Sequence, residues 1–314
     1  MTPKFDVVCA SRGGRDLHLD IYEPTGPINH RVAVLVHHGG GWAAGDRKML
    51  QPQCEELARR GFTALAVEYR LVPEAPWPAQ LVDVKTAIRW TVSHADELRI
   101  DPTKLVLQGH SAGAHLALMA AGTVESADLD PDFQFEGPAG PIAAVVAYYP
   151  PVRLDPSMRM PNMSAGPDPA AMAALRGPDG SIPAAMLLAG AATEDSAAMA
   201  SPLTHAANLP PTVLFHGTDD GVVAPAGSVA LHEKLSASGI PSELHLMSGS
   251  DHAFDSMPIL REVCTAASEA FLRRYIIDPQ AFAEEEARMN PIIAMRRGVM
   301  PQAVVRGAGR GDDR

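Results

Sequence analysis

Val32-Ala33-Val34-Leu35-Val36 and Ala143-Ala144-Val145-Val146-Ala147 are apolar at every position. A strand with no polar face must be covered on both sides, so such runs belong in a parallel sheet between layers of helices. They form the cores of candidate strands Val32–His38 and Ala143–Tyr149. Six further runs have strand character: Asp6–Ala10, Leu17–Pro24, Thr63–Tyr69, Lys104–Gln108, Thr212–His216 and Glu243–Met247. Helical periodicity falls between the strands. Leu81, Val84, Ile88 and Val92 recur at helical spacing within Gln80–His94, and Leu260, Val263, Cys264, Ala267 and Phe271 form a later stripe. Ser228 stands where it could cap a helix running to Gly239, which suits the C′ position. Strand and helix in alternation predict an α/β fold with an eight-stranded, mostly parallel sheet flanked by helices.

Composition narrows the function classes. Of 314 residues, 46% are hydrophobic and 20% charged, which excludes a disordered or collagen-like chain. The net charge of −11 repels phosphate backbones and anionic bilayers, so neither nucleic acid nor a membrane is an expected partner. No run approaches the roughly 18 apolar residues of a membrane helix. Cys9, Cys54 and Cys264 are widely spaced and form no CxxC pair, which suits small buried thiols in a reducing compartment. Residues Met1–Asp6 lack the pattern of a signal peptide, so a cytoplasmic location is expected.

One large domain is expected over 1–275 and an extension over 276–314. Within the first, Pro151–Asn208 holds Met158, Met160, Met163, Met172, Met186 and Met199 among the chain's 14 methionines. That concentration reads as a lid-like insertion whose flexible thioethers shape an adaptable apolar wall. In the extension, Ala281–Met289 is expected to be helical and Arg306–Arg314 disordered.

The chemistry concentrates in short motifs. Gly109-His110-Ser111-Ala112-Gly113 follows the strand Lys104–Gln108 and precedes the small-residue run Ala114–Ala121. A sharp strand-to-helix turn of this kind lifts the Ser111 hydroxyl above the edge of the sheet, and a Cβ at Gly109 or Gly113 would meet neighbouring backbone. The helix that follows aims its first N–H groups at developing negative charge. His38-Gly39-Gly40-Gly41-Trp42 follows another strand. Its glycines allow close backbone approach, so the N–H groups of Gly40 and Gly41, with that of Ala112, are assigned to an oxyanion hole. A phosphate loop is excluded because neither GxxxxGK[ST] nor GxGxxG is present. His38 is expected to orient the loop, and His37 to be structural.

A serine hydroxyl needs a general base, and the base needs an orienting acid. His216-Gly217-Thr218-Asp219-Asp220 and Ser248-Gly249-Ser250-Asp251-His252-Ala253-Phe254 end later strands, where a parallel sheet gathers its functional loops. His252 is the expected base, and the residues alone leave the acid open between Asp219 and Asp220. His205, His216, His232 and His245 lack a matching context. HExxH is absent, so no metal and no cofactor are expected.

Taken together with Gly45-Asp46 and Tyr69-Arg70-Leu71-Val72-Pro73-Glu74-Ala75-Pro76, these motifs resemble those of α/β-hydrolase carboxylesterases. The resemblance is to the hormone-sensitive-lipase-like and bacterial feruloyl-esterase-like (BD-FAE) branch, over about residues 15–275. It implies Asp220, the fifth residue of HGxxD, as the acid beside Ser111 and His252. It also matches the oxyanion assignment to Gly40, Gly41 and Ala112. Two departures stand out. Thirty-seven residues precede His38, too few for the N-terminal helical cap of many such enzymes, so cover must come from Pro151–Asn208 or the tail. His110 replaces the acidic residue that often precedes the serine.

The resulting expectation is a serine ester hydrolase acting through an acyl-enzyme on short- to medium-chain or small aromatic esters. Trp42 and His110 are its substrate-binding candidates, core packing being the plain alternative for Trp42. An arylformamidase-type amide hydrolase is the second enzyme reading, and a non-catalytic ligand-binding homologue the reading from another class. The tail Ile276–Arg314 is a candidate either to reach across a neighbouring subunit in a homodimer or to fold over the pocket mouth.

Overall fold

The computed structural model describes residues 2–12, 14–72, 74–132, 139–158, 175–188 and 192–296. Eight strands form one sheet: β1 Lys4–Arg12, β2 Arg15–Tyr22, β3 Ala33–His37, β4 Thr63–Val67, β5 Leu105–His110, β6 Ile142–Tyr148, then Thr212–Gly217 and Ser242–Met247. A separate two-stranded pair, β7 Arg153–Asp155 and β8 Ser181–Pro183, lies between them in sequence, making the last two strands β9 and β10. The order across the large sheet is β1-β2-β4-β3-β5-β6-β9-β10. β1 with β2 and β2 with β4 are antiparallel; the other neighbours are parallel. Each strand expected from the sequence is present, with ends shifted by a few residues.

The central strands explain their own placement. β3, β4, β5 and β9 are buried at every residue, as both-face burial requires of continuous apolar runs. β5 sits between β3 and β6, so its C-terminal turn emerges at the middle of the sheet edge. The helix that follows, Ala112–Gly122, is buried along its whole length. Its alanines and glycines let it lie close to the sheet, and Gly113 is forced by that approach: a Cβ there would run into the carbonyls of His37 and His38. Helix Ala79–Ser93 buries Leu81, Val84 and Ile88 in the same core.

Several details differ from expectation. Ser228 lies inside helix Ala226–Ala237 rather than at its start, which Pro225 occupies, and its buried hydroxyl bonds the His216 ring at 2.7 Å. Gly239 does follow the helix, with φ +72°. On helix Pro258–Leu272, Val263 is half exposed, and the buried face carries Cys264, Thr265 and Ser268 instead, because small polar side chains can return a bond to the preceding turn. Cys54 and Cys264 are buried, whereas Cys9 is only half-buried on edge strand β1, where its thiol donates to Leu17 O. Helix Gln51–Arg59 had no expectation; its mostly polar nine residues hide a stripe of Gln53, Cys54, Leu57 and Ala58.

The chain divides into units Met1–Glu269 and Ala270–Arg314. In the second, Asp278 caps helix Pro279–Met289 by accepting from Ala281 N at 3.2 Å, and the Arg274 guanidinium lies over the rings of Tyr275 and Phe282. Helix Pro291–Arg296 follows. Pro73, Met160, Met163, Met172 and the expected disorder over Arg306–Arg314 fall outside the described residues. No described helix is long and apolar enough to cross a membrane.

Candidate active site

At the end of β5 the backbone turns sharply. Ser111 takes φ +53° and ψ −117°, a conformation that costs a non-glycine residue on the order of 1–3 kcal/mol and persists only where its surroundings enforce it. Here they do: Ser111 N–H donates to Tyr148 O at 2.9 Å, and helix Ala112–Gly122 begins at the next residue. The hydroxyl is thereby held at the sheet edge beside the helix N-terminus.

Across the edge stands His252, in the loop after β10. Its Nε2 lies 3.0 Å from Ser111 Oγ and its Nδ1 2.7 Å from Asp220 Oδ2. The loop is pinned by Asp251 Oδ1, which accepts from Gly221 N at 2.8 Å and from His252 N at 2.6 Å. Asp220, in the loop after β9, is fully buried and saturated. Its Oδ1 accepts from Val222 N and Val223 N, both at 2.8 Å; its Oδ2 also faces His216 Nε2 at 3.2 Å. The Arg176 guanidinium bonds its backbone carbonyl. Burial pushes the Asp220 carboxyl upward, but hydrogen bonds from His216, His252 and Val223 outweigh it and hold the group below the ordinary carboxylate range. Asp219 is exposed; its carboxylate accepts from the neighbouring Thr218 hydroxyl and its N–H donates to Ser250 O.

The glycine loop forms the third side. Gly40 has φ +121°, and its carbonyl accepts from Ala43 N and Ala44 N. Gly41 and Trp42 follow at φ +59° and +60°. His38 stacks on Tyr69 with centroids 4.3 Å apart, and its Nδ1 lies 2.7 Å from Gly39 O. Burial lowers its pKa and keeps the ring neutral, which suits a brace rather than a base. His37 is fully buried against Gln108 O, its pKa pushed down to about 4 by burial. Trp42 is only 1% exposed: it packs edge-on to His115 in the core, and it also borders the cavity.

That cavity, about 690 Å³, opens over Ser111 and is bordered by Gly40, Gly41, Ala112 and His252. Met49, Leu175, Ile182 and Met186 supply apolar wall, the last three from within residues 151–208. His110 also borders it. Its ring stacks on Tyr148 at 4.6 Å and its Nδ1 sits 2.9 Å from Asp255 Oδ2.

A family model, BD-FAE, matches residues 19–235. The chain belongs to the BD-FAE family. It is 30% identical over 279 residues to a probable carboxylic ester hydrolase, LipM, of Mycobacterium tuberculosis, the match covering 86% of this chain and 61% of LipM. The chain thus spans less than two thirds of the length of that curated relative. Among solved structures it is similar to esterase 2 of Thermogutta terrifontis. The tabun-phosphoramylated form shares 27% identity at a TM-score of 0.68, covering 88% of this chain and 97% of that one. The butyrate-bound form shares 28% at 0.68, covering 88% and 96%. The fold of this BD-FAE chain is that of an α/β-hydrolase.

All eight site residues expected from the sequence of this BD-FAE member border the cavity except Asp220, which is buried behind His252. Sequence reasoning missed three contributors. His216, set aside for want of context, bonds the acid four residues later, a spacing visible within HGTDD itself. Tyr149 and Asp255 meet from separate loops, and no local pattern announces such a pair.

Proposed function

We propose that the protein is a serine carboxylesterase working through a Ser111-His252-Asp220 triad. The observation that carries this reading is the hydrogen-bonded row from Ser111 Oγ through His252 to a buried, ionised Asp220, at 3.0 and 2.7 Å, opening on a largely apolar cavity. Ser111 attacks the ester carbonyl as His252 Nε2 takes its proton, forming a tetrahedral intermediate. The N–H groups of Gly40, Gly41 and Ala112 receive its oxyanion. His252 then returns the proton to the leaving alcohol. Water, deprotonated by His252, releases the acyl group and restores the serine. Asp220 holds the ring in the Nδ1–H tautomer and stabilises the imidazolium, its own proton affinity kept low by its other donors. The helix N-terminus beneath Ala112 favours the same negative charge.

The insertion acts as a wall over the acyl site through Leu175, Ile182 and Met186. The bound butyrate of the Thermogutta esterase supports a preference for short acyl groups, and that protein's capture of an organophosphate supports an activated serine. The test is initial rates on p-nitrophenyl esters from acetate to dodecanoate, with Ser111→Ala alongside. Turnover peaking at short chains and vanishing in the variant is the expected result; turnover that survives in Ser111→Ala would overturn it.

A further inference from the structure

Two charged side chains border the cavity among the described residues, Asp255 and Arg261, and only one of them is neutralised there. Both oxygens of the buried Asp255 carboxylate are taken: Oδ1 accepts the Tyr149 hydroxyl at 2.5 Å and Oδ2 faces His110 Nδ1 at 2.9 Å. Arg261 Nη1 makes one long bond, 3.5 Å, to the backbone carbonyl of that same Asp255. Its backbone is fixed by a bond from its N–H to Met257 O and by the Thr265 hydroxyl on its carbonyl. The His110 ring is 8% exposed, and its Nε2 has no hydrogen-bond partner among the described residues. With Nδ1–H committed to Asp255, that nitrogen carries a lone pair and is itself buried, so the ring offers the cavity no proton.

Arg261 and His110 therefore both bond Asp255, and of the two it is Arg261 that brings a cation to the border of the cavity that holds Ser111. A guanidinium is five donors in a plane and pairs best with a carboxylate. We infer that Arg261 forms a subsite for a carboxylate carried by the ester substrate, the N–H groups of its guanidinium donating to the two carboxylate oxygens. The inference rests on the esterase reading and adds to it a substrate class: half-esters of dicarboxylic acids, or esters of hydroxy acids.

The two classes are separated by pairing monoethyl glutarate with ethyl pentanoate, and acetoxyacetate with propyl acetate, each followed by pH-stat titration. In at least one pair the ratio of kcat/KM, charged over neutral, falls roughly tenfold or more in Arg261→Met and is partly restored in Arg261→Lys, as loss of a charge-assisted bond requires. The first pair responding places the carboxylate on the acyl side, the second on the alcohol side. Unchanged ratios in both pairs, with Ser111-dependent turnover of the neutral esters intact, overturn the subsite. Should no ester be turned over, the esterase reading fails separately. Calorimetric binding of glutarate to the Ser111→Ala protein, lost in the Arg261→Met double variant, then still decides the subsite, and its absence overturns it.

Discussion

The hydroxyl of Tyr149 donates to Oδ1 of Asp255 at 2.5 Å, across 106 residues of chain. Tyr149 follows β6 with φ +40°, and its ring lies 4.4 Å from that of His252. Asp255, three residues beyond His252, also pairs with His110, the residue before Ser111. The pair thus ties the histidine loop to the serine turn. Burial raises the Asp255 carboxyl, but the His110 ring and hydrogen bonds from His110 and Tyr149 bring it below its usual range, so it stays ionised and needs its donors. Tyr149→Phe removes one of them and keeps the ring. Urea unfolding is expected to show a loss of about 1–3 kcal/mol; an unchanged midpoint would mean the bond carries no weight.

The two neighbouring aspartates make opposite predictions. Asp220→Asn leaves the shape but loses the ionised partner of His252, and kcat on p-nitrophenyl butyrate should drop by about 10³–10⁴. Asp219→Asn changes an exposed side chain that reaches only Thr218, and the rate should stay within about twofold. Equal losses in the two variants would remove Asp220 from its role.

The glycine loop offers a second contrast. A Cβ on Gly40 would overlap the carbonyl of Ala44 at a φ of +121°, so Gly40→Ala should yield protein without the loop and without turnover. At Gly41 the nearest atom to an added Cβ is Met186 Cε at 3.5 Å. Gly41→Ala carries only the left-handed strain of about 1–2 kcal/mol and should fold. Circular dichroism melts of both variants check this, and a well-folded, active Gly40→Ala would contradict the loop's geometry.

Acid should weaken the fold in two separate windows. Burial depresses His37 and His115 from 6.5 to about 4, so both are neutral when folded. Their contribution is fully present above the unfolded value of 6.5 and is lost as pH falls from there toward 4, because the unfolded chain binds the protons more readily. By pH 5 the loss is on the order of 1–2 kcal/mol for each ring. Asp220, also depressed, contributes above the unfolded carboxylate value of 3.8 and loses that contribution only below it. Thermal midpoints measured from pH 7.5 to 4.5 should therefore decline while Asp220 is still ionised. A flat profile down to pH 4.5 would show the two rings to be accessible to protons when folded.

What the sequence made legible follows from how far each signal reaches. Runs such as Val32–Val36 are local, so all eight strands of the sheet could be read, and the order of motifs along the chain placed Ser111, His252 and the glycine loop. The three-residue strands β7 and β8 were not legible, being too short to show alternation. Ser228 looked like a helix cap because its type suits one; its actual partner, His216, comes from a strand twelve residues earlier. Val263 is apolar and exposed while Thr265 and Ser268 are buried, an inversion that only the packing decides. Tyr149, Asp255 and Arg261 meet through the fold alone.

The groups proposed to act on the ester leave from the ends of β3, β5, β9 and β10, whereas the cavity's apolar and cationic faces come from Met49, the 175–188 segment and the start of helix Pro258–Leu272. Reacting atoms and sorting surfaces are thus inherited on different stretches of polypeptide. Sequence drift at Met49, Leu175, Ile182 or Met186 can redraw which molecules are admitted while Ser111, His252 and Asp220 keep their positions. On the proposed reading, a laboratory selection confined to those four sites would explore new substrates while leaving the triad in place.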